Sequence, residues 1–281
     1  MMKLQYKRNL LSTMLLSLTF LAALFTIGIL AYLIIFVTAN GLPHLNAEMF
    51  SLQYTSENGS FMPAIINTLI IMVLSLLIAV PTGIFAAIYL VEYAKRGSKA
   101  VKLIKATAEI LSGIPSIIYG LFGSLFFVTT LRLGISLVSG ALTLFIMILP
   151  FIMRTAQEAL LSVPDTYREG SFGLGAGKLR TTFKIVLPAA IPGILAGVIL
   201  AIGRIVGETA ALIYTAGTVP DFPEDIMSSG RTLSVHMYRL SKEGLQTDKA
   251  YATAVMLLLI VLLINTLSAV VVKRFMKKKG T

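Results

Sequence analysis

The sequence predicts an all-α integral membrane protein with six transmembrane helices. Of its 281 residues, 56% are hydrophobic and only 13% are charged, and the mean hydropathy is +0.86. A soluble domain carries about a quarter charged residues, so this chain has too little polar surface for a globule of its size. The charges that are present leave long uncharged stretches between them. These observations argue against a soluble enzyme and favour a chain that crosses a bilayer several times.

Each long uncharged stretch accommodates the roughly 20 apolar residues that a bilayer-spanning helix needs. The first of these stretches resembles a secretory signal because basic residues precede it. Its apolar run exceeds the roughly 7–15 residues of a signal peptide, and we therefore expect it to be retained as a span. The six predicted spans cover residues 13–37, 65–91, 108–131, 135–153, 189–216 and 250–272.

The distribution of basic residues predicts the orientation of these spans. Of the 24 lysines and arginines, 18 lie at the two termini and in the segments 92–105 and 154–187. Five lie on the opposite side of the membrane, and Arg204 falls within a span. By the positive-inside rule, both termini are therefore cytoplasmic. The net charge of +11 is therefore explained by the basic residues that orient the spans. The chain lacks the basic face with interleaved aromatic residues that nucleic-acid binding requires.

The residue types needed for metal or thiol chemistry are scarce in this chain. It has no cysteine, and His44 and His236 are its 2 histidines. The glycine-rich segment 173–178 fails the P-loop pattern Gly-x4-Gly-Lys-Ser/Thr, because Phe172 stands at the first glycine position and Leu179 at the hydroxyl position. We therefore expect no cofactor in this chain. A membrane enzyme is the weakest interpretation, since no triad, paired carboxylates or metal ligands fall at a common depth.

The cytoplasmic segment 154–187 contains helix signals of its own. Residues 167–174 predict a short helix, the glycines of 175–177 end it, and residues 178–187 form a second amphipathic stretch. Pro188 then opens the fifth span, where its missing N–H group costs little. The pattern predicts a helix, a glycine turn and a second helix at the cytoplasmic face. An ordinary interfacial helix of a membrane protein has the same pattern.

The spacing within this segment resembles the EAA loop of ABC importer permeases. It matches the pattern EAA-x3-G-x9-I-x-LP, except that glycine and serine replace the two alanines. The resemblance implies a type I ABC importer (MetI-like) permease fold, in which this loop is a coupling helix that docks on an ATPase subunit. The loop residues that it assigns to this docking are Glu169, Gly170, Ser171, Gly175, Ala176, Ile185, Leu187 and Pro188.

Further stretches make the resemblance more specific. Residues 113–123 and 203–211 resemble the phosphate-specific ABC permeases, and residues 230–238 resemble those of the PstA type. This resemblance implies a non-catalytic permease subunit of an ATP-driven phosphate importer, in a bacterial or archaeal cytoplasmic membrane. In such an importer, the ATP and magnesium are bound by partner subunits.

The resemblance also implies a set of partners and a division of the chain. The partners are a second permease of the PstC type, two ATP-binding subunits of the PstB type, a phosphate-binding protein of the PstS type and membrane lipid, without nucleic acid. Residues 1–60 are expected to form a peripheral transmembrane helix and an external loop. Residues 61–275 are expected to form the permease core, including the coupling loop 155–188.

Two charged residues fall within the fifth predicted span. At about 1.5 Å per residue from Ala189, Arg204 lies roughly 22 Å into the membrane, and Glu208 lies one turn further out on the same face. Charges at such depth usually face a bundle interior or a water-filled cavity. Two interpretations stay open. The residues form an ion pair that fixes helix packing, or Arg204 binds phosphate with its guanidinium fork while Glu208 holds that side chain in place.

Three hydroxyl-bearing residues complete the candidate substrate pathway, namely Thr209, Ser116 and Tyr119. For Ser116 and Tyr119, hydrogen bonding within the core is the alternative. Near the external side, Asn67 is expected to cap the second span. His236 is expected to lie at a surface or interface rather than to bind a metal.

Two alternative functions remain open from the sequence. The same fold with another oxyanion or a small polar solute as substrate is one of them, because a single arginine does not separate phosphate from sulfate. The other is an ion-coupled secondary transporter. Such transporters are commonly built from inverted repeats, and no second half is evident in this sequence.

Overall fold

The computed structural model describes residues 2–95, 97–244 and 246–278. Of the basic residues that predict the orientation, Arg96 and Lys279 lie outside the described residues. For six others only the backbone is described, and these are Lys3, Lys7, Arg8, Arg274, Lys277 and Lys278. The described residues form helices, turns and irregular segments, with no strand among them.

Eleven α-helices follow one another along the described chain, and three of them continue into π-helical turns. The π-helical turns are Tyr89–Tyr93 after α2, Ser124–Thr130 after α4 and Thr182–Val186 after α7. The α-helices are α1 (Met2–Gly41), α2 (Met62–Ile88), α3 (Lys99–Gly113), α4 (Ser116–Gly123), α5 (Leu137–Leu161), α6 (Asp165–Gly173), α7 (Lys178–Thr181), α8 (Leu187–Val206), α9 (Ala210–Thr215), α10 (Leu233–Glu243) and α11 (Thr247–Lys278).

Five helical runs within the described residues are long and apolar enough to cross a membrane, and a bent pair makes a sixth when it counts as one span. The bent pair joins Lys99–Gly113 to Ser116–Thr130. The prediction of an all-α membrane protein with six spans is thereby confirmed. The five single runs are Leu11–His44, Met62–Tyr93, Leu137–Leu161, Lys178–Val206 and Thr247–Val270.

The third predicted span, 108–131, consists of two helices joined by a sharp bend. Its helices meet at an angle of 101°, because Ile114 between them is extended, with φ −71° and ψ 132°. The residue before a proline is disfavoured in the helical region, and Pro115 follows Ile114. The long apolar part of this span therefore begins at Ser116, after the bend.

The fifth predicted span, 189–216, differs from the structure at both ends. Its helical run begins at Lys178, so Pro188 lies inside the run and does not open the span. The Leu187 N–H donates to the Thr182 carbonyl five residues earlier, which makes the turn before the proline π-helical. Such a widened turn accommodates the ring and the missing donor of a proline inside a helix. At its other end the run stops at Val206.

The buried apolar side chains form three clusters. The largest lies among α2, α5, α8 and α9 and contains Ile148, Ile205 and Leu212. A second joins the ends of α2 and α5 to the start of α8. The third joins Phe61 to Leu233 and to α11. The helices around α5 are thus packed into one core, whereas the side chains of residues 11–35 of α1 are all exposed.

Candidate functional site

The fifth span is interrupted where Gly207, Glu208 and Thr209 separate α8 from α9. Glu208 is only 9% exposed. Its Oε1 accepts hydrogen bonds from the backbone N–H groups of Thr209 (3.2 Å) and Ala211 (3.1 Å). The Thr209 hydroxyl lies 3.4 Å from the Gly207 carbonyl. The carboxylate therefore caps the start of α9, where backbone donors have no helical partner.

Arg204 lies in the last turn of α8 and is partly exposed. Within the part of the chain that the structure describes, none of the ion pairs joins Arg204 to Glu208. The prediction that Arg204 and Glu208 lie on one face of a continuous helix is wrong, because the helix ends between them. Neither the ion pair nor the restraint of Arg204 by Glu208 is formed.

Tyr119 brings the bent third span to the same place. Its ring is buried, and its hydroxyl donates to the Leu111 carbonyl (2.7 Å) across the bend between α3 and α4. Tyr119 also lies near enough to Arg204 for the two to interact electrostatically. Ser116 is the first residue of α4 and is partly buried. The bend between α3 and α4 and the break between α8 and α9 thus lie close to Arg204.

Glycines of α4 bring this helix into close contact with α9. A Cβ atom built on Gly120 would lie 2.7 Å from the Cα of Ala211. One built on Gly123 would lie 2.8 Å from the Cγ2 of Thr215. Small residues allow helix backbones to approach this closely in a membrane. Here they place α4, which follows the bend in the third span, directly against α9, which follows the break in the fifth.

The segment 230–236, called the external segment because the distribution of basic residues predicts that side for it, covers this region. The Asn67 Nδ2 donates to the Arg231 carbonyl (3.2 Å), and the Leu233 N–H donates to the Thr68 hydroxyl (2.9 Å). The Ser234 hydroxyl donates to the Glu208 carbonyl at the break. Asn67 therefore lies inside α2 and binds the external segment, and its predicted role as a helix cap is wrong.

His236 is fully buried, so its predicted position at a surface is wrong. Its Nε2 lies 3.3 Å from the Gly59 carbonyl, and the Tyr54 ring packs edge-on against the imidazole at 5.9 Å. Arg231 lies above the same Tyr54 ring, 4.5 Å from its centroid. Burial, followed by the nearby charge of Arg231, lowers the pKa of His236 to about 3, although the Gly59 carbonyl opposes this shift.

Acidification is expected to destabilise the external segment through His236. The unfolded state binds a proton below its pKa of about 6.5 while the folded state does not, so stability falls as pH falls through this range. Between pH 7 and pH 5 the loss is about 2 kcal/mol. Apparent melting temperatures in detergent at pH 7 and pH 5 measure it. His236→Gln is expected to show a smaller decrease, and an equal decrease in both proteins would contradict this assignment.

Residues 164–187 of the predicted coupling loop 155–188 fold into a compact hairpin of helices, and the name coupling loop refers to this part from here on. Gly175 between them has φ +80°, a conformation that favours glycine. The hydroxyls of Ser171 and Thr181 lie 2.8 Å apart, and the Ala176 N–H donates to the Ser171 carbonyl (3.1 Å). Leu174 at the tip is 91% exposed. The predicted helix, turn and helix are confirmed in outline.

Five other residues assigned to this loop by resemblance lie around that hairpin. Glu169 and Gly170 are on α6 and exposed. Ile185 and Leu187 are partly buried where the second helix joins α8, and Leu187 packs on the second buried cluster, which joins the ends of α2 and α5 to the start of α8. Pro188 follows within α8. The glycine and serine in place of two alanines therefore leave the α6 helix intact.

Comparison with known proteins identifies the family of this chain. The family model of the binding-protein-dependent transport system inner membrane component matches residues 79–280. The chain belongs to this family. It is a multi-pass membrane permease component, and the permease fold that the resemblance implied is confirmed. The alternative of an ion-coupled secondary transporter is not supported by this family.

Individual relatives and a solved structure agree with the family. The permease is 34% identical over 263 residues to the phosphate transport system permease protein PstA of Pasteurella multocida (strain Pm70), covering 92% of this chain and 93% of that protein. It is 32% identical over 237 residues to the probable ABC transporter permease protein YqgI of Bacillus subtilis (strain 168), covering 79% of each. A solved bacterial alginate ABC transporter has a similar fold, with a TM-score of 0.66 at 19% identity, over 88% of this chain and 92% of that chain.

Sequence reasoning missed an internal connection of the permease. Arg168 of α6 forms an ion pair with Glu92 at the end of the second span, with 2.8 Å between Nη2 and Oε1. The two residues are separated by 76 positions. No local pattern marks either of them as paired, and the only signal in the sequence is a carboxylate at the cytoplasmic end of a span.

Proposed function

We propose that this permease is the PstA-type subunit of an ATP-driven importer and forms half of the pathway for inorganic phosphate. The observation that carries the proposal is Arg204, which lies beside the break of the fifth span without a carboxylate in ion-pair contact among the described residues. Relatives that are named phosphate transport system permease proteins support phosphate as the substrate.

The chemistry of the break suits a transported anion. A guanidinium presents parallel N–H donors that match the oxygens of phosphate. Glu208 is held by backbone N–H groups of α9 and leaves the Arg204 side chain to the substrate. Its negative charge nearby limits how tightly an anion is retained, so that release remains possible. The hydroxyls of Thr209, Ser116 and Tyr119 are proposed to line the same pathway.

We propose a position for each partner. Two ATP-binding subunits of the PstB type would hold the ATP and magnesium, and one of them would dock on the exposed face of this coupling loop around Leu174. A PstS-type phosphate-binding protein would deliver phosphate at the external side. A PstC-type permease would complete the pathway as a heterodimer. We propose that both termini are cytoplasmic and that residues 1–60 lie peripheral to the core of residues 61–275.

Reconstitution of the complete importer in proteoliposomes tests this function. Uptake of radiolabelled phosphate is expected to require ATP and the loaded binding protein, and excess sulfate is not expected to compete. Transport of sulfate in place of phosphate would favour the alternative of another oxyanion. Uptake that continues without the ATP-binding subunits would contradict the proposal as a whole.

A further inference from the structure

Arg168 connects the coupling loop to two membrane helices. Its Nε and Nη2 donate to Glu92 Oε1 (3.1 and 2.8 Å) at the end of the second span. Its Nη1 donates to the Val163 carbonyl (2.8 Å) and to Asp165 Oδ1 (3.1 Å), and its Nη2 to the Leu160 carbonyl (3.0 Å). A guanidinium has five N–H donors. All of them are used here, on the second span, the end of α5 and the coupling loop itself.

This ion pair is shielded from water. The Arg168 side chain is 14% exposed and that of Glu92 is 7% exposed. The ion pair of Arg154 with Glu158 is different, since those side chains are 61% and 65% exposed. Exposed pairs contribute little to stability, whereas removing one partner of a shielded pair leaves a buried charge uncompensated. The hydrogen bonds of Arg168 therefore hold the second span, the end of α5 and the coupling loop in one arrangement.

The second helix of the coupling loop contacts the same end of the second span. The Lys178 ammonium lies 5.2 Å from the centroid of the Tyr93 ring. Val186 is fully buried in one cluster with Ala87 and Ile88. Both halves of the loop are thus attached to the last turns of the helical run Met62–Tyr93.

The opposite end of that run is attached to the external segment beside the candidate site. Asn67 and Thr68 bind the backbone of Arg231 and Leu233, and Ser234 binds the Glu208 carbonyl. The run has 32 residues without a break, which makes it about 48 Å long. It therefore reaches from the coupling loop to the outer side of the broken span.

We propose that Arg168 is a positioning residue that makes the coupling loop and the second span move as one body. A displacement of the loop by an ATPase is then carried along the second span to the segment next to Glu208. The inference rests on the proposed function, since it takes an ATPase to be what moves the loop. Lysine does not replace Arg168, because three donors on a flexible stem cannot hold three elements in the same geometry.

Uptake and ATP hydrolysis by the complete importer in proteoliposomes test this role. Arg168→Gln, Arg168→Lys and Glu92→Gln are each expected to lower phosphate uptake per ATP hydrolysed by about tenfold. The double variant of Arg168→Gln with Glu92→Gln is expected to be no worse than either single variant, because one link is broken in all three. Arg132→Gln, at an exposed external turn, is the matched control.

A purely structural role predicts a different result. The variants would then lose complex and both activities together, and an unchanged ratio of uptake to hydrolysis in the complex that remains would overturn the inference. A wild-type importer that does not take up phosphate with ATP would instead contradict the proposed function.

A distance measurement tests the same inference without reference to the substrate. The chain contains no cysteine, so cysteines introduced at Tyr167 and Leu69, both exposed, carry spin labels at defined positions of this subunit. The label on the coupling loop is placed at Tyr167 in place of Leu174, because Leu174 lies on the face proposed to contact the ATPase. In the assembled importer that is otherwise wild type, the separation of the labels at Tyr167 and Leu69 is expected to stay constant on ATP binding, and to change in Arg168→Gln. A change in the wild type, or constancy in Arg168→Gln, would overturn the inference.

Discussion

Arg204→Gln is expected to abolish phosphate uptake by the reconstituted importer while the permease still assembles with its partners. No carboxylate within the described residues forms an ion pair with this guanidinium, so its removal strands no buried charge and the fold is retained. What is lost is a charge-assisted, two-pronged contact to the anion. We expect uptake to fall by roughly 100-fold or more, measured with radiolabelled phosphate at equal amounts of assembled complex.

Arg204→Lys separates charge from geometry at this position. Lysine keeps the positive charge but lacks the planar fork, so we expect uptake between that of the wild type and that of Arg204→Gln. Arg132→Gln controls for the loss of an arginine in general, because Arg132 lies at an exposed external turn. Normal uptake by Arg204→Gln would exclude Arg204 from the substrate pathway. A failure of Arg204→Gln to assemble would show instead that the residue holds the fold.

The spans themselves were predictable from the sequence because the bilayer imposes them. Each crossing needs a long uncharged stretch, and charges at 92–105 and 154–187 separate the stretches clearly. The helix, glycine turn and helix of the coupling loop were predictable for a similar local reason, since the turn at Gly175 requires a positive φ. These features depend on residues close together in the chain.

The interruption of the fifth span was not predictable from the same pattern. Residues 203–216 read as a continuation of an apolar helix, and the glycines in it are compatible with close packing. The break is stabilised when Glu208 supplies its carboxylate to the N–H groups of Thr209 and Ala211 and its carbonyl to Ser234. The last of these contacts comes from a distant part of the chain, so hydropathy does not reveal it.

The environments of Arg168 and His236 were likewise not predictable from the sequence. Glu92 lies 76 residues before Arg168, and the Gly59 carbonyl lies 177 residues before His236. A charged residue in a cytoplasmic loop and a histidine in an external loop are ordinarily exposed. Both side chains are buried by contacts with parts of the chain far away in sequence, and those contacts exist only in the complete fold.

Gly120→Leu is expected to prevent assembly of a stable permease. A Cβ atom at this position would lie 2.7 Å from the Cα of Ala211 and 3.0 Å from its carbonyl oxygen. Backbone atoms cannot move aside as a flexible side chain does, so α4 and α9 would have to separate. Overpacking of this kind costs about 1–3 kcal/mol or more. The yield of assembled complex and its apparent melting temperature in detergent measure the effect.

Gly203→Ala is the matched control for this substitution. Gly203 is also a glycine inside a helix next to a break, but a Cβ atom built there would have no atom of the described chain within 4 Å. We expect Gly203→Ala to assemble normally and to gain slightly in stability, because alanine is the better helix former. Gly120→Ala is expected to fall between the two. If Gly120→Leu assembled as well as Gly203→Ala, the two broken spans would not depend on direct contact of their backbones, and the site around Arg204 would need another source of rigidity.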